Sequence, residues 1–225
     1  MSILRLIPES AGRSAGEIRY GKHDLLKLDE AALRRIRGNE IAMIFQEPMT
    51  SLNPVLTVGR QIVEAVRLHQ GLDRNAARAR AEEMLRLVGI PEPARRLDEY
   101  PHQLSGGMRQ RAAICRSLLL TPRLLLMDEP FGALDAITRD QLNVDLHQLW
   151  AREGMTTIFV THSISEAVFL SSRVVVFSPR PGRIVENVQL DLPRERTLAI
   201  RETPEFLRYS SHFRSVFEKF GLIHD

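Results

Sequence analysis

Five short segments carry residue types suited to work on a phosphorylated substrate. The apolar run Leu124–Asp128 (LLLMD) ends in two adjacent acids, Asp128 and Glu129, before Pro130. Side chains alternate along a strand, so neighbouring carboxylates at a strand end point apart and can take different tasks. Asp128 could hold Mg²⁺ or one of its waters, because that ion takes oxygen ligands and keeps much of its hydration. Glu129 could polarise an attacking water as a general base. A solvated strand end with two acids fits the same residues without any chemistry. Thr161-His162 closes a second run, TIFVT, and Ser163 stands three residues before Glu166, the spacing of a capping box. His162 is thereby expected at a strand-to-helix corner, on the same sheet edge as the acids. Gln46 follows a third run, IAMIF; its amide can bind a metal or a water, and equally suits a plain loop.

In the segment 104–111, LSGGMRQR, Ser105 can cap a following helix, and Gly106-Gly107 let backbone N–H groups approach an anion closely. Many helices begin with Ser and Gly for geometry alone. Asp135, after FGAL, is expected to cap a helix running to Leu149.

The elements that must position these residues are legible as apolar patterns. Ile41–Phe45, Leu124–Asp128, Thr157–Thr161 and Arg173–Ser178 are short, nearly unbroken apolar runs, as expected of strands in a parallel sheet covered on both faces. Between them lie helical periods: Val58, Ile62, Ala65 and Val66; Ala77, Ala81, Met84, Leu85 and Val88, ending at Gly89; and Leu142, Leu146, Leu149 and Trp150. Strands alternating with helices predict an α/β fold. Residues from about 51 to 122 show helical periods without a strand, and read as an all-helical insertion. After a connector, LDLPRERTLAIRETP, a last helix is expected to start at Thr203-Pro204. Phe206, Tyr209, Phe213, Phe217 and Phe220 would share one of its faces.

Composition narrows the classes further. The 225 residues carry a formal charge of only +3, too small an imbalance to suggest nucleic acid. The Arg-rich stretch Arg74–Arg96 includes Glu82, Glu83 and Glu92, as a solvated helix face would. One cysteine, Cys115, excludes an internal disulfide framework and a Cys-rich zinc site. No apolar run approaches the roughly 18–20 residues of a membrane-spanning helix. The first residues are too charged to read as a secretory signal. The expectation is one soluble intracellular domain.

The order and spacing of the five segments resemble the ATP-binding cassette (ABC) ATPases of membrane transporters, from about Gly16 to Val188. LSGGMRQR is similar to the ABC signature, LLLMDEP followed by FGALD to Walker B and the D-loop, Gln46 to the Q-loop, and His162 to the switch histidine. The resemblance implies a P-loop NTPase-like parallel sheet with a helical insertion. It makes Glu129 the catalytic base, and Asp128 and Gln46 the Mg²⁺ and water contacts. It directs His162 at the γ-phosphate or attacking water. It assigns Ser105, Gly106, Gly107 and Gln110 of the signature, with Asp135 of the D-loop, to the nucleotide. It also implies a dimer with ATP between two cassettes, coupled to transmembrane permease subunits, with the cassette on the cytoplasmic face of the membrane. Nucleic acid is not among the expected partners.

One element of that family is missing from the sequence. A P-loop requires G-x-x-x-x-G-K-[ST]; Gly12 and Gly16 are not followed by Lys-Ser/Thr, and Gly21-Lys22 is followed by His23. The expectation is a chain that begins inside the cassette, lacking the N-terminal strands and Walker A, roughly 40 residues. Residues 1–188 would form a partial cassette and 189–225 a connector and helical tail. Residues 16–57 resemble oligopeptide and dipeptide importers. From about Ala112 the text resembles the nitrate, sulfonate and taurine importers, which fits Phe131-Gly132 where peptide importers usually carry Thr-Thr. The alternative to an active ATPase is a degenerate cassette that lends only its signature to an intact partner.

Overall fold

The computed structural model describes residues 2–7, 14–44, 52–119, 121–132 and 134–221. In chain order, a hairpin of β1 (Arg19–Tyr20) and β2 (His23–Asp24) turns at Gly21 and leads through α1 (Glu30–Ile36) into β3 (Ile41–Ile44). Four helices follow: α2 (Val58–Gln70), α3 (Arg74–Leu87), the short α4 (Pro93–Arg96) and α5 (Gly106–Leu118). Then come β4 (Leu124–Asp128), α6 (Ala136–Glu153), β5 (Thr156–Val160), α7 (Ile164–Leu170), β6 (Arg173–Phe177), β7 (Ile184–Gln189) and α8 (Pro204–Lys219).

Strands β3, β4 and β5 form a parallel sheet in that order, with Ile41 opposite Leu124 and Leu124 opposite Thr156. β4 is central. Leu125, Leu126 and Met127 are all buried, which is why its sequence does not alternate. β5 departs from the expectation of cover on both faces, because Ile158 and Val160 are exposed while Thr157 and Phe159 are half-buried. β6 also departs from it. It pairs antiparallel with β7 in a separate two-stranded sheet. The short β1–β2 pair and the weakly apolar β7 leave no clear pattern in the sequence.

Among the described residues between 52 and 122 there are helices and no strand. α2 and α3 begin at side-chain caps from Thr57 and Asp73 and are separated by Gly71, which ends α2 in the left-handed conformation. Their inner faces (Val58, Ile62, Val66, Ala77, Ala81, Leu85) join α5 and the inner side of β3 and β4 in one core. The arginines of the outer face lie beside acids. Arg78 pairs with Asp98, Arg80 with Glu83, and Arg86 with Glu82, each at 2.7 Å. Such exposed pairs contribute about 0–1 kcal/mol each.

The C-terminal helix starts as its sequence predicts, with Thr203 accepting from the Phe206 N–H and Pro204 at the first helical position. Phe206, Phe213 and Val216 are buried against Val168, Phe169 and Ile200, and Tyr209 and Phe217 pack partly on the same cluster. Phe220 stays exposed, because α8 ends at Lys219. Arg196 joins this tail to α7. Its Nη1 donates to the carbonyls of Val168, Phe169 and Ser171 at 3.1, 2.8 and 2.9 Å, satisfying the end of a short helix that would otherwise be buried without partners.

His147 of α6 is buried between Trp150 and Phe169, with ring centroids 5.7 Å away in both cases. Its Nε2 lies 2.7 Å from the Arg194 carbonyl and therefore carries the hydrogen, while Nδ1 has no partner. Burial lowers its pKa below the ordinary 6.5; the Arg194 carbonyl opposes this, and the charge of Arg196 adds to it. The unfolded chain thus takes up this proton at a higher pH than the folded one. Stability is complete above 6.5 and falls as the pH drops from there through the lowered folded value. Urea midpoints at pH 7.5 and 5.5 are expected to show that loss in the wild type and a smaller one in His147→Gln.

Candidate functional site

The expected acid and imidazole meet. Glu129 immediately follows β4, and its backbone N–H donates to the Val160 carbonyl at 2.9 Å, so the β4–β5 ladder runs on to the residue itself. Glu129 has φ +44°, in the region that non-glycine residues seldom enter. The turn is closed by the Gly132 N–H, which donates to the Glu129 carbonyl at 3.2 Å. One carboxylate oxygen of Glu129, Oε2, lies 3.1 Å from Nδ1 of His162, just past the end of β5. The His162 side chain is 73 % exposed, and that of Glu129 only 28 %. Asp128, the last residue of β4, is half-buried beside them.

The corner that carries His162 is fixed by hydrogen bonds the sequence only half reveals. Ser163 caps α7 through the Glu166 N–H at 3.3 Å, as the capping-box spacing predicts. The reciprocal half is replaced. The Ser163 N–H donates to the Thr161 hydroxyl at 3.0 Å, and that hydroxyl donates to Glu166 Oε2 at 2.7 Å. Glu166 is buried, with Arg139 of α6 at 3.8 Å from its other oxygen. Glu166 was visible as a capping residue; nothing in the sequence marks Arg139.

Ser105 and Asp135 form a second group. Ser105 Oγ accepts from the Met108 N–H at 3.3 Å, starting α5, and Asp135 Oδ1 accepts from the Thr138 N–H at 2.9 Å, starting α6. That backbone donor holds the Asp135 carboxyl below the usual carboxylate range. The two helix starts abut. A Cβ on Gly107 would fall 2.6 Å from Cγ2 of Thr138, and one on Gly106 3.7 Å from Leu134. Two positive helix ends side by side favour an anion. Ser105 and Asp135 are exposed there. Gln110, which the resemblance assigns to the nucleotide, is fully buried one turn further along α5, so its amide does not reach this surface. Gln46 lies outside the described residues. Among the described residues there is no group of three or more His, Cys, Asp or Glu placed to hold a metal.

Comparison with known proteins identifies the family. The model of the family described as "ABC transporter" matches residues 2–132. A "Probable peptide ABC transporter ATP-binding protein" of Sinorhizobium fredii is 47% identical over 191 residues, covering 84% of this chain and 56% of the relative. The dipeptide transport ATP-binding protein of Haemophilus influenzae is 40% identical over 222 residues, covering 96% of this chain and 67% of the relative. The chain thus spans little more than half the length of the first of these relatives. Among solved structures, the ATP-binding cassette MJ0796 in a dimeric post-hydrolysis state bound to ADP and Pi superposes with a TM-score of 0.70 at 29% identity, covering 85% of this chain and 81% of that one.

Two substitutions test the local physics. Gly107→Ala is expected to destabilise the chain by about 1–3 kcal/mol through the clash with Thr138, and Thr138→Ser, which removes the clashing methyl, to restore most of it; urea unfolding of the single and double variants measures this. Glu129→Gly is expected to be more stable than Glu129→Ala by about 1 kcal/mol, because only the former relieves the positive φ. Equal stabilities would remove the inference of strain at this turn.

Proposed function

Because the chain belongs to the ABC transporter family, we propose that it is the ATPase subunit of an importer, cleaving ATP with water to ADP and phosphate at the C-terminal edge of its parallel sheet. The observation that carries this reading is the 3.1 Å contact between Glu129 and His162 at two adjoining strand ends. Ligands of open α/β sheets bind at that edge. In the neutral tautomer with hydrogen on Nδ1, His162 donates to the Glu129 carboxylate and leaves Nε2 directed elsewhere. The imidazole thereby orients the carboxylate, and Glu129 in turn holds and deprotonates the attacking water. General-base catalysis of this kind contributes typically about 10²–10⁴-fold.

Bound Mg²⁺ would neutralise phosphate charge. A single half-buried aspartate at a strand end suits an ion that takes one or two carboxylates and otherwise keeps water and phosphate oxygens. Asp128, with Gln46, is the proposed holder. Ser105, Gly106 and Gly107, with Asp135, are proposed to face the nucleotide of a second cassette, where the paired helix starts supply positive potential. The partners proposed are that second cassette and the transmembrane permease subunits, with the chain on the cytoplasmic face of the membrane. No described helix is long and apolar enough to cross a membrane itself. The relatives' names favour peptides as cargo. The motifs after Ala112 favour a nitrate, sulfonate or taurine system, and peptide-stimulated against taurine-stimulated turnover of the assembled transporter separates the two.

A second reading has its own observation. The sequence holds no G-x-x-x-x-G-K-[ST], the cradle that grips β- and γ-phosphates in P-loop enzymes. On that ground these 225 residues alone are expected to release phosphate from ATP at background rate and to bind ATP too weakly for calorimetry. Mixed with an intact peptide-importer cassette, the chain is expected to change that cassette's turnover, and Ser105→Ala to abolish the change. Tight ATP binding by the chain alone would overturn the first expectation, and unaltered turnover in the mixture the second.

A further inference from the structure

Two contacts set the angle between α5 and α6, the helices that begin at Ser105 and Asp135. The first lies near the helix starts, where a Cβ on Gly107 would fall 2.6 Å from Cγ2 of Thr138. Helices touching there alone could still pivot about that point. The second contact lies about one turn further along α5 and two turns further along α6. Nη2 of Arg111 stands 2.7 Å from Oδ2 of Asp145, a charge contact without an aligned hydrogen bond. Gln141 donates from Nε2 to the other oxygen of Asp145 at 2.9 Å and holds the carboxylate in place. Nη1 of the same guanidinium donates to the carbonyls of Val88 and Gly89 at 3.1 and 2.9 Å. These carbonyls stand at the end of α3, so one side chain joins three helices. Gly89 has a positive φ, and a Cβ there would collide with Nη1. The apolar seam beside this contact does not fix the helices by itself. Leu87 and Val88 of the α3 end line a cavity with Leu142, Leu146 and Leu149 of α6; its volume of about 20 Å³ is room for about one water.

We propose that Arg111 is a positioning residue, which locks α5 against α6 and so sets the angle at which the helix starts at Ser105 and Asp135 aim their N–H groups. The proposal rests on the reading that those starts face the nucleotide of a second cassette. An anion gains from both helix ends only when both point at it, because the favourable potential falls off within the first turn. A guanidinium suits the task, since its donors form a fixed fork that meets a carboxylate on one side and carbonyls on another. Nearly three turns of unbroken helix separate Asp145 from the start at Asp135, so a tilt at one is carried to the other. Arg111 touches no reacting group. It acts through Ser105, Gly106 and Gly107 at the head of its own helix and through Asp135 at the head of the next.

The first arm of the test uses no nucleotide. Nitroxide labels at Ala94→Cys in α4 and Gln148→Cys in α6, both exposed positions, report the seam by pulsed dipolar spectroscopy. Cys115 is buried, with its thiol pushed up to about 12, and stays unlabelled. Expected is a single narrow distance distribution in the labelled wild type, about twofold broader with Arg111→Met and with Asp145→Asn. Unchanged widths in both variants would overturn the proposal. The second arm mixes the chain with an intact peptide-importer cassette and follows turnover. Arg111→Met is expected to raise the KM for ATP of the mixture about tenfold at an unchanged maximal rate, because it weakens binding and removes no reacting group. A chain that is merely less stable lowers the maximal rate and leaves KM alone, and that result would also overturn the proposal. If the wild-type chain leaves turnover unaltered, the second-cassette reading fails, and the label distances decide the lock by themselves.

Discussion

Strand β4 is bonded along both edges and buried on both faces, and the chemistry depends on that confinement. Its neighbours fix its height, so the residue after Asp128 has no freedom to drift. The ladder bond from the Glu129 N–H to Val160 carries the register beyond the strand proper. Leu125, Leu126 and Met127 bury their side chains on opposite faces, each worth about 1.5–3 kcal/mol relative to exposure. A slip by one residue would exchange those faces, mismatching the side chains packed on each and carrying Asp128 into the place of buried Met127. The sheet thus holds Glu129 and His162 within one hydrogen-bond length through the backbones of adjoining strands, with no need for long side-chain networks.

Much of this was legible in the sequence, for identifiable reasons. Unbroken apolar runs revealed β3 and β4 because strands buried on both faces have no polar side to display. Ser105, Asp135, Ser163 and Thr203 revealed helix starts because only a few side-chain types accept well from an orphan backbone N–H. The common sheet edge of Glu129 and His162 followed from both residues standing just past the ends of parallel strands. What escaped depended on distant contacts. β7 pairs antiparallel with β6 and carries few apolar residues. Arg196 reads as one more charge in a connector, and only the folded chain brings three carbonyls to it. Gln110 has the composition of a surface residue and the position of a buried one, because its place on α5 faces the core.

The helical region packs on the parallel sheet, and the tail on the β6–β7 pair. The core of α2, α3 and α5 reaches β3 and β4, while the aromatic cluster of α8 packs on α7, the helix that begins next to His162. The two cores are distinct, and α6 borders both through Leu146 and Val144. α6 also starts at Asp135 and carries Arg139 towards Glu166. That helix is the element through which the paired helix starts, the sheet edge and the tail share a rigid frame.

The Thr161 hydroxyl has one further consequence. It donates to Glu166 and accepts from Ser163, so its proton has a single orientation and the main chain on both sides of His162 is pinned. The imidazole above it remains open to solvent on most of its surface. The residue is a fixed pivot with a loose arm, its freedom residing in two side-chain torsions. Exposed rotamers interconvert in picoseconds to nanoseconds, whereas loops rearrange in nanoseconds to microseconds. The imidazole can therefore break and remake its contact with Glu129 many times during any single movement of the surrounding chain, and its orientation stays at equilibrium with whatever occupies the sheet edge.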